Sequence, residues 1–147
     1  MTGKDKIFST LEKVMVTSKA DQTEAVFVGG SSGLTRFANS FIHQNVAVEN
    51  TKVTFRVALG NKIGTSSCNS FVPTDLRKAL KSAYEIARKQ KPNPDFSGMA
   101  SPAEYRALDA FDIKTAKYTP KQRAMKLKRA FAKGAKYNYD MAGAFTT

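Results

Sequence analysis

Apolar and polar positions alternate most clearly in Val53-Thr54-Phe55-Arg56-Val57-Ala58-Leu59. Val53, Phe55, Val57 and Leu59 fall on one side and Thr54, Arg56 and Ala58 on the other, which predicts a half-buried strand. Gly60-Asn61 follows as a two-residue link of the kind tight hairpins need, and Lys62-Ile63-Gly64-Thr65-Ser66 reads as the returning strand. Upstream, the polar pair Asn39-Ser40 between Phe37 and Phe41 predicts a turn joining two more strands, so residues 34–67 read as an antiparallel meander. Glu24-Ala25-Val26-Phe27-Val28 reads as a short first strand closed by a turn at Gly29-Gly30-Ser31-Ser32-Gly33.

The period lengthens to that of a helix on either side of the meander. Ile7, Phe8, Leu11, Val14 and Met15 predict a helix over 4–18 with one buried face. Pro73-Thr74 opens a second, with Thr74 as cap and Asp75 at the positive end of the dipole. Leu76, Ala79, Leu80, Ala83, Tyr84, Ile86 and Ala87 form its apolar face, Arg88, Lys89 and Lys91 crowd its last turn, and Pro92 and Pro94 stop it. Residues 92–118 carry linker chemistry, with Pro92, Pro94, Gly98 and Pro102, and one helical turn is expected around 103–108. Thr119-Pro120 starts a third helix, whose Ala124, Leu127, Ala130, Phe131, Gly134 and Ala135 share one arc. Residues 140–147 read as the opening of another strand.

These elements predict an α+β fold: a mostly antiparallel sheet of four or five strands with helices packed on one face. The expected organisation is an N-terminal unit over 1–91, a linker over 92–118, and a helix and strand over 119–147 that open a second, similar unit. The closing order of helix, loop and strand repeats the opening one, which suggests a fragment of a longer protein.

Charge changes the picture more than length does. The chain of 147 residues carries a net charge of +12, and the excess is uneven. Residues 1–70 hold 8 basic and 5 acidic side chains, whereas 71–147 hold 16 and 7. Lys121, Lys126, Lys128, Arg129, Lys133 and Lys136 gather opposite the apolar arc of the third helix. Such a face binds polyanions, docks on an acidic partner or is simply solvated. No apolar run approaches the ~20 residues that span a bilayer. The N-terminus has no secretory pattern, and the lone Cys68 suits a reducing compartment, so a cytoplasmic location is expected.

Candidate chemistry is sparse. A zinc site needs several converging His, Cys or carboxylate ligands, and this chain has one histidine, His43, and one cysteine, Cys68. His43 is expected on the polar side of its strand, near Asn45 and Phe41, and Cys68 as a buried or half-buried structural thiol. The Gly29–Gly33 cluster lacks the Gly-Lys-Ser/Thr ending and the following helix of a phosphate loop, so a hairpin turn is the better reading.

Three segments resemble one family. Arg36-Phe37-Ala38-Asn39-Ser40-Phe41-Ile42-His43-Gln44 resembles the R-F-A-N-N-x-I-x-Q segment of the TldD/PmbA family. Phe55-Arg56-Val57-Ala58-Leu59-Gly60-Asn61-Lys62-Ile63-Gly64-Thr65-Ser66 is similar to the hairpin that follows it there, and Tyr84-Glu85-Ile86-Ala87-Arg88 with Pro92-Asn93-Pro94-Asp95-Phe96 to its helix end and proline passage. The resemblance runs from about Asp21 to Gly98 and continues more weakly to Thr147. It implies zinc metallopeptidases, historically called modulators of DNA gyrase, which form dimers around the active site and cleave extended peptides. Their metal ligands, an H-E-x-x-x-H helix and a later cysteine, lie downstream of the matched domain, so no catalytic or metal residue carries over to this chain. Zinc is expected only in a downstream domain of a catalytic parent.

The expected role is thus a non-catalytic N-terminal domain that helps form the dimer, homo- or heteromeric, and the chamber for the substrate peptide. Arg36, Asn39 and Arg56 are the candidate contacts to peptide or partner through an exposed strand edge. The alternatives are a basic nucleic-acid-binding module or gyrase-associated factor using the basic helix over 114–136, or a free-standing protein-interaction domain.

Overall fold

The computed structural model describes residues 3–101, 103–104, 106 and 108–147. Its elements run α1 (Lys4–Met15), β1 (Gln22–Ala38), β2 (Phe41–Leu59), β3 (Lys62–Cys68), α2 (Pro73–Lys89), α3 (Ile113–Ala116), α4 (Pro120–Ala135) and β4 (Gly143–Thr146). The strands form one sheet in the order β3-β2-β1-β4, with β3 antiparallel to β2 and β4 antiparallel to β1. Helices pack against it, so the fold is the α+β arrangement that the periodicity predicts.

Both turns of the meander fall where the sequence places them. Asn39 and Ser40 have φ of 50° and 53°, the positive pair that a two-residue hairpin of the twisted kind requires. Gly60 has φ of 54°, and the Asp21 carboxylate accepts its amide N–H at 2.7 Å. The third expected turn does not exist. β1 runs straight through Gly29–Gly33 to Ala38, so the reading of that cluster as a hairpin is corrected. Local turn propensity loses here to a long backbone ladder, because β1 lies between β2 and β4. At Gly33 the amide and carbonyl both bond Thr147, at 2.8 and 2.9 Å, which extends the β1–β4 pairing by one residue.

Helix ends show two further differences. α1 stops at Met15 rather than at 18. α2 is capped by Val72, with no side-chain bond, and not by Thr74. Pro73 is the first helical residue and forces its predecessor to be extended, so the cap position falls one residue before it. α4 begins as expected at Thr119-Pro120, and Gln122 completes a reciprocal capping box. The helical turn expected around 103–108 lies partly outside the described residues; a short helix is found at α3 instead.

Residues 1–30 with 50–104 form one compact unit, and 31–49 with 105–147 form another. The first unit has an apolar core. Val53, Phe55 and Val57 of β2 are fully buried with Leu76, Ala83 and Ala87 of α2 and Val14 of α1. β3 and α2 come close at Gly64, where an added Cβ would run into the backbone at Ala83 and Ala87. Phe27 and Phe71 close the edge of this core, ring centroids 5.3 Å apart and nearly perpendicular.

The second unit is built differently. Leu127 is its only large aliphatic side chain in the buried class among the described residues, and two aromatic contacts, Phe37–Phe131 and Tyr118–Phe145, flank it. At its centre lies a buried arginine, Arg123, only 2% exposed.

Candidate functional site

Arg123 projects from the same stripe of α4 as Leu127, Ala130 and Gly134, at i, i+4, i+7 and i+11. Its Nε donates to Thr35 Oγ1 at 2.8 Å, and Nη1 donates to the Tyr118 carbonyl at 3.1 Å and to Thr147 Oγ1 at 2.9 Å. Nη2 donates to Asn45 Oδ1 at 3.1 Å, and that oxygen also accepts from Thr35 at 2.9 Å. Each partner is a neutral oxygen. The fork of donors thus ties β1, β2, α4 and residue 147 together, with its desolvation offset by charge-assisted hydrogen bonds. Gly33 is what admits the guanidinium, because any Cβ there would overlap it. Arg123 is not among the basic residues expected on the polar side of α4, and its signal in the sequence is that it is the one cation on the apolar stripe of that helix.

The three residues singled out as peptide or partner contacts are all exposed. Arg36 donates to Gln44 Oε1 at 3.3 Å, and Asn39 forms the turn itself. Arg56 belongs to the other unit and pairs with Glu24 at 2.7 Å, both side chains more than 40% exposed. Arg36 and Asn39 are therefore in one unit and Arg56 in the other. His43 is exposed on β2, on the same alternation as Phe41 and Asn45. Cys68 is half-buried, its Sγ 3.5 Å from the Ser70 carbonyl, as a structural thiol would be. Among the described residues no three His, Cys, Asp or Glu side chains come together as a metal-binding group.

A cleft of about 450 Å³ opens in the first unit between the end of α1 and α2. Arg77, Lys81, Tyr84 and Arg88 line it at i, i+4, i+7 and i+11, with Lys19 opposite. Glu85 also faces it and holds Arg88 at 3.2 Å, which tempers the positive field. The six basic residues assigned to the polar side of α4 are all exposed. Asp112 caps α3, where hydrogen bonds from the backbone and side chain of Thr115 hold its carboxyl below the usual range. No helix among the described residues is long and apolar enough to cross a membrane.

Residues 23–87 match the family model described as PmbA/TldA metallopeptidase domain 1. Among solved structures, TldE from Thermococcus kodakarensis superposes with a TM-score of 0.67 at 16% identity, over 89% of this chain and 30% of its own. A candidate modulator of DNA gyrase from Thermotoga maritima gives 0.70 at 17% identity, over 95% and 32%. Another from Bacteroides thetaiotaomicron gives 0.70 at 12% identity, over 88% and 30%. The chain thus spans about a third of the length of these proteins, and at such identities they show a shared fold. A search of curated sequences returned no match. The matched segment contains both the β2–β3 hairpin and α2 up to Ala87, and over those residues the chain is similar to the first domain of the PmbA/TldA metallopeptidases.

Proposed function

We propose that this chain is a non-catalytic domain of a TldD/PmbA-type zinc metallopeptidase, contributing to the dimer and to the wall around the substrate peptide. The observation that carries this reading is the match of residues 23–87 to the first domain of a metallopeptidase family. In that reading the metal and its ligands belong to a downstream domain, and this chain supplies shape. Arg36 and Asn39 stand at the exposed β1–β2 turn, where they can contact a peptide or a partner chain. Arg56, already engaged by Glu24, serves the outer surface of its strand.

Two measurements test the proposal. Incubated with zinc and an unfolded protein substrate, the chain alone is expected to leave it intact; zinc-dependent cleavage would overturn the non-catalytic assignment. Sedimentation equilibrium is expected to show self-association above the 16.1 kDa of one chain. A single-chain mass at high concentration removes self-association through this domain and leaves only a heteromeric dimer, and Arg36→Ala with Asn39→Ala is expected to weaken the association where that turn takes part.

A further inference from the structure

The C-terminal end of α4 carries an arrangement that the family reading does not use. Between Asp112 and Asp140 the chain has no acidic residue, and eight exposed basic side chains lie between Lys114 and Lys136. Lys126, Arg129, Lys133 and Lys136 follow one another at spacings of three and four, which places them along one side of the helix. Ten residues of helix make that row about 15 Å long.

The row ends on two aromatic rings. Tyr137 and Tyr139 stack on each other with centroids 5.7 Å apart and planes 25° from parallel, yet they are 62% and 66% exposed. Their geometry is imposed by the backbone. The Gly134 carbonyl accepts both amides, from Tyr137 at 2.9 Å and from Tyr139 at 3.1 Å, and Asn138 between them takes φ of 53°. Gly134 also lets Met141 fold back onto the helix, since a Cβ there would stand 2.8 Å from its Sδ. An open cleft of about 290 Å³ results, lined by Lys133, Gly134, Tyr137, Tyr139 and Met141.

We propose that this surface binds single-stranded nucleic acid, the lysine and arginine row tracking successive phosphates and the tyrosine pair stacking a base. Phosphate alone explains the row but not an exposed, backbone-fixed aromatic shelf at its end. A duplex keeps its bases stacked inside and offers none to the shelf. A single strand supplies both a phosphate chain and accessible base faces, the combination that sequence-tolerant single-strand binders use. An acidic protein surface would complement the cations without requiring the rings.

The test is fluorescence anisotropy with the 147-residue chain and a labelled 12-nucleotide mixed-sequence DNA. Four phosphate contacts predict a slope of log K against log salt of roughly −3, hence a loss of about 50-fold between 50 and 200 mM. Tyr137→Ala with Tyr139→Ala is expected to weaken binding by about tenfold, with the phenylalanine pair restoring it, since stacking needs the ring and not the hydroxyl. Against an abasic 12-mer of the same charge, the alanine and wild-type proteins are expected to bind alike. Lys126→Gln, Arg129→Gln, Lys133→Gln and Lys136→Gln together are expected to weaken binding at 50 mM salt by more than the tyrosine pair does and to flatten the salt slope of the binding that remains. No binding at 50 mM salt overturns the proposal. So do equal affinity for the abasic strand or polyphosphate, tighter binding to duplex, and alanine variants that bind as wild type. All substituted side chains are exposed, and an unchanged circular dichroism spectrum confirms that each variant is folded.

Discussion

The two compact units solve the same problem with opposite chemistry. In the first, Phe55, Val53 and Val57 vanish beneath α2 and are held by burial alone. In the second, the central buried side chain is the guanidinium of Arg123, surrounded by Thr35, Asn45, Thr147 and the Tyr118 carbonyl. A hydrophobic core is tolerant of direction, because any apolar surface of fitting volume serves. A buried arginine is not. Its donors have fixed directions, and every acceptor must be in place before the charge is worth desolvating. The first unit thus owes its stability to area, and the second owes its specificity to one fork of hydrogen bonds.

The contrast can be broken by substitution. The largest effect is expected from Phe55→Ala, at about 3–5 kcal/mol, because the ring is fully buried and its loss leaves a cavity. Urea denaturation measures the cost, and amide exchange should show protection lost over 53–59. Arg123→Met should follow, at about 3 kcal/mol, since it leaves Thr35 buried without its donor. Here exchange should quicken over 33–37 while 53–59 stays protected; equal loss in both segments would show that the units are not separately held. Arg123→Lys should not rescue it, because an ammonium cannot reproduce the planar fork.

Two smaller effects sharpen the comparison inside the first unit. Gly64→Ala should cost about 2 kcal/mol, as the methyl group meets helix backbone that cannot rotate away, and a near-neutral thermal shift would mean that α2 can ride up on β3. The Glu24–Arg56 pair is short at 2.7 Å but well exposed, so a double-mutant cycle should return about 0.5 kcal/mol or less, falling with salt.

Much of the architecture was legible because the signals that specify it are local. Alternation at 53–57, the Asn39-Ser40 and Gly60-Asn61 turns, and the Thr119-Pro120 helix start are each written within a few residues, and each occurs where the pattern predicts, whereas Ala58, assigned to the polar side, is buried. The same local logic misread Gly29–Gly33. Glycine and serine favour turns, but Gly33 is there to clear the Arg123 guanidinium, a partner 90 positions later in the chain. His43 is exposed, as its place on the polar side of its strand predicts, and Cys68 falls at the half-buried end of the buried or half-buried range expected for it.

By itself the sequence determined the element types, the hairpin turns, the apolar stripe of α2 and the family resemblance that the order of its motifs carries. Only the tertiary structure decided that β1 is one strand of 17 residues, that Arg123 is a core residue, and that Tyr137 and Tyr139 form an exposed stacked pair. The physical reason is range. Turn and helix signals act over three or four positions, whereas Arg123 finds Thr35 across 88 positions and Asn45 across 78. A charge on an apolar stripe reads as an anomaly until the fold brings its acceptors to it.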